Sequence, residues 1–344
     1  MGEESGVLHQ GGSKLSYRIA SFNLKNFSLA TDKDLNRIAA IIKESNFDII
    51  AMQEVLAAGR ALSGIYVKDP AMQKSAFEKS LLGRLGRNWN SFWGDPKTAS
   101  KYYPYLGRDN RGEGYAFIWN TDRIDLMKVP NNPRIFREYK TDFGNGAFRL
   151  IRDPLYGRFK VRGTKIELRL ITTHIISGKP KEDSMRANFE GGAVALRKHE
   201  FDILAGSVYK RINDYRKDTE PTVPYTIMLG DYNLNLLSSG IAKMILSDVA
   251  YYASNGNPLM GFEQGCEVVY TVQNEKTTLS DHGYANNFDH FSFNEKTKQI
   301  VNKWKRIDAV HQNIKPGDNS EEALFNRYYC EVSDHVPVVI ELQF

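Results

Sequence analysis

The chain closes on SDHVPVVIELQF, with Asp334 and His335 directly before the apolar run Val336, Val338, Val339, Ile340 and Leu342. Such a run predicts a core strand, which needs no charge at its mouth. The pair reads either as a solvated turn or as an acid and an imidazole carried on a rigid support. The arrangement recurs. YRIASFNL ends in Asn23 and Leu24, and FDIIAMQEV carries Glu54 next to its last residue. LRLITTH ends in His174, and YTIMLGD ends in Asp231 with Asn233 two residues on. Five apolar segments that each end in polar groups point to one sheet edge with a shared site.

Asn23, Glu54, Asp231, Asn233 and Asp334 offer hard oxygen donors only. Such a set suits Mg²⁺, with Mn²⁺ and Ca²⁺ as the other hard ions it accommodates, rather than zinc. His174 and His335 add proton transfer near neutral pH. A divalent ion, imidazole and a basic chain together fit hydrolysis of a phosphate ester. Each histidine then needs a carboxylate that fixes its tautomer. Glu113 and Asp289 are the candidates, because both lie on strand-like stretches.

The elements that must position these groups set the scale. The chain has 344 residues, 41% apolar and 25% charged, enough for a sizeable core in one large α/β domain. Residues 1–14 read as a flexible, Gly-rich tail, and 15–344 as a single domain. Net charge is +5, and Lys128–Arg169 holds 11 Lys/Arg against 4 Asp/Glu. That excess reads as a solvated face or as a surface for a phosphate-rich partner. Cys266 and Cys330 make neither a disulfide framework nor a zinc cluster, and their pairing is open. No apolar stretch approaches the ~18–20 residues of a membrane span. The start lacks the apolar core of a signal peptide, so the chain reads as soluble, with a monomer favoured.

Helical spacing appears through Leu35, Ile38, Ile41 and Ile42, and a long helix is predicted over Arg186–Ile212. GEGYAFIWN and DRIDLMKV read as neighbouring strands with a turn near Asn120–Asp122. RFKVRGTKIELRLITTHI reads as a hairpin turning at Gly163. Two mixed sheets packed face to face and covered by helices, a four-layer α/β sandwich, would bring the polar strand ends together.

Seven segments, in order, resemble the endonuclease/exonuclease/phosphatase superfamily, and within it the type I deoxyribonucleases. SFNLKNF resembles the opening strand with its metal-site asparagine, here Asn23. DIIAMQEV resembles the QEV segment, which makes Glu54 the metal-binding glutamate. EGYAFIW resembles the E-x-Y strand, so Glu113 would support the first histidine. TTHI supplies that histidine as His174, and GDYNLN gives Asp231 and Asn233. NFDHFSF resembles the Y-D-R-I strand, placing Asp289 behind the second histidine. SDHVPVVIEL is similar to the closing S-D-H-x-P, giving Asp334 and His335. The resemblance spans about Tyr17 to Leu342. It also makes IRDPLYGRF similar to an R-E-P segment whose arginine contacts a DNA phosphate, here Arg152.

The resemblance implies a Mg²⁺-dependent endonuclease acting on DNA with little sequence specificity. The alternative is a phospholipid phosphodiesterase or phosphate-ester phosphatase on the same frame, since fold alone does not choose a substrate. A third reading is a binding module that has lost catalysis. The implied roles are a general acid or base at His174, and assistance at the phosphate by His335. Glu54 and Asn23 would hold one ion, with Asp231, Asn233 and Asp334 holding a second or positioning water. There are departures. His290 stands where Y-D-R-I has arginine, the segments Glu54–Glu113 and Asn233–Asp289 are long, and Asp308 in RIDAV competes with Asp289.

Overall fold

A computed structural model of the chain describes residues 15–27, 33–56, 59–60, 66–67, 78–93, 113–127, 138–140, 147–150, 152, 154–175, 177, 192–215, 221–235, 268, 270–273, 275–280, 283–312 and 320–344. The tail 1–14, Cys266 and the side chain of Glu113 lie outside this set.

Two six-stranded sheets build the molecule. The first is formed by β1 (Ser16–Phe27), β2 (Ile49–Leu56), β3 (Trp89–Trp93), β4 (Glu113–Asn120), β11 (Val301–Arg306) and β12 (Val338–Gln343). Its order is β11-β12-β1-β2-β4-β3. The second is formed by β5 (Ile124–Leu126), β6 (Leu155–Val161), β7 (Ile166–His174), β8 (Val223–Asp231), β9 (Tyr270–Val272) and β10 (Asp289–Phe293). Its order is β9-β10-β8-β7-β6-β5. Each sheet is mixed: β1 runs parallel to β2 and β7 parallel to β8, while the other pairs are antiparallel.

Strand alternation decides which residues meet between the sheets. In β1, Tyr17 and Ile19 enter the core between the sheets, whereas Ala20, Phe22 and Leu24 enter the core on the outer face. Ser21 and Asn23 follow Ile19 at the same period, so Asn23 comes to the mouth of the cleft between the sheets. Phe159 anchors the inner layer, edge-on to Phe117 at 5.4 Å and to Trp119 at 5.5 Å. Burying a ring of that size contributes about 1.5–3 kcal/mol.

Helices cover both outer faces. On the first sheet lies α1 (Leu35–Glu44), which buries Ile38, Ile41 and Ile42 at helical spacing. Asp34 caps it, accepting from Asn36 N and Arg37 N, both at 3.0 Å. Beside it lies a further helix, Glu321–Glu331, capped by Ser320. The second sheet is covered by α2 (Gly192–Ile203) and its continuation through a π-helical turn, Leu204–Val208, into Tyr209–Asn213. Tyr209 donates to Thr226 O at 2.8 Å. Arg169 reaches the last carbonyls of that helix, Ile212 O at 2.7 Å and Asn213 O at 3.2 Å. The result is the four-layer sandwich expected.

Two expectations change. GEGYAFIWN and DRIDLMKV do not pair: β4 belongs to the first sheet and β5 to the second. The turn at Thr121–Arg123 carries the chain across the sandwich edge. Arg123 is held there by Asp48 at 2.7 Å and by the Tyr17 ring, 4.3 Å from its guanidinium carbon. Ile124 then drops into the inner core. Among the described residues, the basic stretch also turns three of its arginines inward. Arg152, Arg158 and Arg169 are only 8%, 2% and 1% exposed. Arg158 and Arg169 both donate to Glu167 Oε1 at 2.7 Å. Among the described residues, no helix is long and apolar enough to cross a membrane.

Candidate active site at the sheet edge

Register sets the first part of the site. His174 ends β7 opposite Asp231, which ends β8, and Asp231 lies opposite Asp289, which opens β10. Three strand ends thus place an imidazole and two carboxylates side by side. Gly230 permits the approach: at φ +147, a Cβ there would lie 1.9 Å from Thr173 O. Asn233 closes the following turn at φ 51, its N–H donating to Asp231 Oδ1 at 2.8 Å. Its amide donates to Ile175 O at 2.7 Å.

Glu54 arrives by a different device. Alternation along β2 would give it the outer face shared by Ile50 and Met52. The pairing of β2 with β4 shifts register between Gln53 and Val55, and Glu54 has φ 56. This bulge turns the carboxylate toward the cleft. There, Glu54 Oε1 accepts from Asn23 Nδ2 at 3.2 Å, and Oε2 accepts from Asn26 N at 2.9 Å. Lys25 and Asn26 also have positive φ, 39 and 55. Strained backbone is therefore concentrated where β1 and β2 deliver polar groups.

Asp231 joins the two halves. Its Oδ2 accepts from Asn23 Nδ2 at 3.0 Å and lies 3.4 Å from His174 Nε2 and 3.5 Å from His335 Nε2. Burial raises the Asp231 pKa, and the two imidazoles oppose that. His335 turns its other nitrogen to Asp289, with Nδ1 to Oδ2 at 2.8 Å. Burial alone would lower the His335 pKa, but Asp289, Asp231 and Asp334 carry it up to about 10. Asp308 is not the supporting acid: it pairs with His311 and accepts from the Tyr284 hydroxyl. Tyr328 fixes the backbone of the pair by donating to His335 O at 3.1 Å.

On the His174 side, the imidazole lies 3.9 Å from Glu54 Oε1, and its backbone N–H donates to Tyr115 Oη at 3.0 Å. Arg152 is drawn to the same place, its Nη1 donating to His174 O at 3.4 Å. Glu113 opens β4 opposite Leu56, two residues before Tyr115.

On the Asp334 side, the carboxylate holds Lys25 Nζ at 3.2 Å, and the ammonium rests over the Tyr329 ring, 3.5 Å from its centroid. Lys33 donates to Val332 O at 2.6 Å, and burial brings its pKa down to about 8. Ser333 binds Asn23 O at 2.7 Å and accepts from His335 N at 3.2 Å, tying the final segment to β1.

The donors suit a hard divalent ion in kind. Glu54 and Asp231 present carboxylate oxygens to one point, where Asn23 Nδ2 donates to both. Among the described residues, no group of three acidic, imidazole or thiol side chains forms a ready metal cage. Mg²⁺ is commonly held by one or two carboxylates and completes its shell with water and phosphate oxygens, so the set fits that ion.

The cluster therefore brings together Asn23, Glu54, His174, Asp231, Asn233, Asp289, Asp334 and His335, with Arg152 against its rim. Lys25, Tyr115 and Ser333 carried no signal of their own in the sequence, although each lies inside a segment that carries the motifs. Lys33 carried no local signal. Neither did Arg197, which donates from α2 to Ser177 O and whose pKa is lowered by burial, with Asp231 opposing.

Fold and site define a class of protein: a two-sheet α/β sandwich with carboxylates and imidazoles clustered at one sheet edge. Residues 20–335 match the profile of the Endonuclease/Exonuclease/phosphatase family, and the chain belongs to it. Members of that family hydrolyse phosphodiesters and phosphate esters. No curated protein matches the chain. Among solved structures, it is similar to an endonuclease/exonuclease/phosphatase family protein from Bacteroides thetaiotaomicron, at 15% identity and TM-score 0.49, covering 97% of this chain and 99% of that one. It is also similar to a humanized D. rerio TDP2, at 14% identity and TM-score 0.49, covering 95% and 98%. A mannosyl-6-phosphatase from Bacteroides thetaiotaomicron matches at 14% identity and TM-score 0.49, covering 95% and 100%.

Proposed function

We propose that the chain is a divalent-metal-dependent endonuclease that hydrolyses DNA phosphodiester bonds with little sequence preference, residues 15–344 acting as one domain. The observation that carries the reading is Asp231, one carboxylate oxygen of which faces both His174 Nε2 and His335 Nε2 at 3.4–3.5 Å. Two imidazoles aimed at one point can serve the attacking and leaving sides of a phosphorus centre.

In this reading, Glu54 and Asn23 would hold one Mg²⁺, and Asp231, Asn233 and Asp334 would hold a second or position water. Such an ion would supply Lewis acidity and charge stabilisation for phosphate-ester hydrolysis. His335, kept protonated by Asp289, donates toward a phosphate oxygen. His174 moves the second proton at Nε2, with Glu113 as its orienting carboxylate. Arg152 contributes a planar donor pair for a neighbouring phosphate. The net charge of +5 favours an anionic polymer, and contacts to its backbone are sequence-blind.

The test is a substrate panel with Mg²⁺ and with EDTA: supercoiled plasmid, single-stranded DNA, RNA, a phosphomonoester and phospholipid vesicles. The reading predicts metal-dependent nicking of plasmid, weakened by salt as counterions are released. Turnover confined to the phosphomonoester or the vesicles would replace it with the phosphatase or phospholipase alternative. No turnover of any member would favour a binding module.

A further inference from the structure

Next to Asp289 on β10 is His290, which is fully buried. Its Nδ1 lies 3.1 Å from Gln273 O. Its Nε2 lies 2.9 Å from Leu234 O and 3.1 Å from Asn287 O. All three partners are backbone carbonyls, which only accept. A neutral imidazole has one N–H, so one of its nitrogens would aim a lone pair at a carbonyl lone pair. Only the doubly protonated ring satisfies both sides.

The three carbonyls belong to the segments that frame the site. Leu234 follows Asn233, and Asn287 lies two residues before Asp289. Gln273 follows β9 in a strained conformation at φ 85. The same segments are cross-linked around the ring. Gln273 Nε2 donates to Asp289 O at 3.3 Å, Asn287 Nδ2 donates to Gln273 O at 3.1 Å, and Tyr232 N donates to Phe288 O at 2.8 Å.

We propose that His290 is a positioning residue held as the imidazolium, and that its two protons fix the backbone that aims Asp289 at His335. The proposal rests on the reading of Asp289 and His335 as a catalytic pair. If one proton leaves, either Gln273 is released, and with it the bond to the carbonyl of Asp289, or Leu234 and Asn287 are released together. Asp289 would then lose its setting without any change in its own charge.

Among the described residues, the titratable groups around the ring are few. Asp289 is its chain neighbour, and Asp231 is the cross-strand partner of Asp289. Tyr232 lies 5.4 Å away ring to ring. Glu275, on the Gln273 segment, turns its carboxylate to Arg306 N. Burial pulls the pKa of His290 below its ordinary 6.5, and the carbonyls and Asp289 offset only part of that. Against that stands the neutral ring's mismatch, a nitrogen lone pair facing a carbonyl lone pair in the core, and an unmet buried polar atom costs about 1–3 kcal/mol.

Two measurements test this on the full chain. In the ¹⁵N-histidine NMR spectrum of wild type at pH 7, both ring nitrogens of His290 should be protonated. A neutral ring with one protonated nitrogen would overturn the proposal, whatever the substrate proves to be. In kinetics, His290→Gln should lower kcat roughly 10–100-fold at unchanged KM, the range for partners that orient a catalytic group. His290→Arg, a permanent cation with several donors, should restore most of that loss and leave the alkaline fall in kcat to His335 alone. Equal kcat and pH profile in the Gln and Arg variants would also overturn it. A wild type that cleaves no phosphodiester would instead count against the proposed function, and the NMR result would still decide the state of His290.

Discussion

The chemistry hinges on which acid faces which imidazole. Asp289 bonds His335 at Nδ1, so the Nε2 that faces Asp231 carries the exchangeable proton. Asp289→Asn removes the charge and keeps the shape. The predicted cost is about 10–100-fold in kcat, read by steady-state kinetics. A change below about threefold would remove Asp289 from its role. The variant should also bring the His335 pKa down from about 10 toward its ordinary 6.5 in the metal-free protein, followed by NMR titration. The sign follows from linkage. A histidine whose pKa rises on folding contributes stability that is full below pH 6.5 and is lost as pH climbs through about 10. Most of these residues were legible in the sequence because each sits at the end of an apolar run. Asp289 stood above its competitor Asp308 on strand-like context alone. Lys25 and Lys33 were missed because a lysine near a site looks like any solvated lysine until its neighbours are known.

At the scale of elements, the site depends on two backbone devices. One is the close approach of β7 and β8 at Gly230. Gly230→Ala places a Cβ 1.9 Å from Thr173 O at a φ of +147. The predicted loss is about 2–4 kcal/mol, read as the shift in urea midpoint at constant slope. Activity should fall with it, since His174 and Asp231 end those two strands. An unchanged midpoint would mean that the strands tolerate separation. The other device is the bulge at Glu54. Strands, their order along the chain and the hairpin at Gly163 followed from periodicity. The bulge did not, because alternation through QEVL carries no mark of an extra residue. The crossing from β4 to β5 was also hidden: a short turn between two apolar runs looks like a hairpin unless the partner strands are known.

At the scale of the whole molecule, acid stability should depend on the buried cluster under the second sheet. Burial would raise the pKa of Glu167, but Arg158, Arg169 and Thr222 hold it down to about 2, against an ordinary 4.5. That shift contributes on the order of 3 kcal/mol above pH 4.5, lost as pH falls from there toward 2. Denaturant midpoints measured between pH 7 and 2 should show the loss, and a flat profile in wild type would contradict it. The same cluster limits what composition says of a surface: arginines in sequence can be counted, but not which of them turn inward to a carboxylate. The four-layer sandwich was legible because alternating strands and amphipathic helices must bury their apolar faces against each other. The central claim is that Asp231 and its two imidazoles form a phosphodiester-cleaving site. The measurement that tests it most directly is nicking of supercoiled plasmid, with Mg²⁺ and with EDTA, by wild type, His174→Ala and His335→Ala. Wild type should nick with Mg²⁺ and not with EDTA, and each variant should lose roughly 10²–10⁴-fold. Nicking by both folded variants within tenfold of wild type would contradict it, as would a folded wild type that leaves plasmid intact with either Mg²⁺ or Mn²⁺.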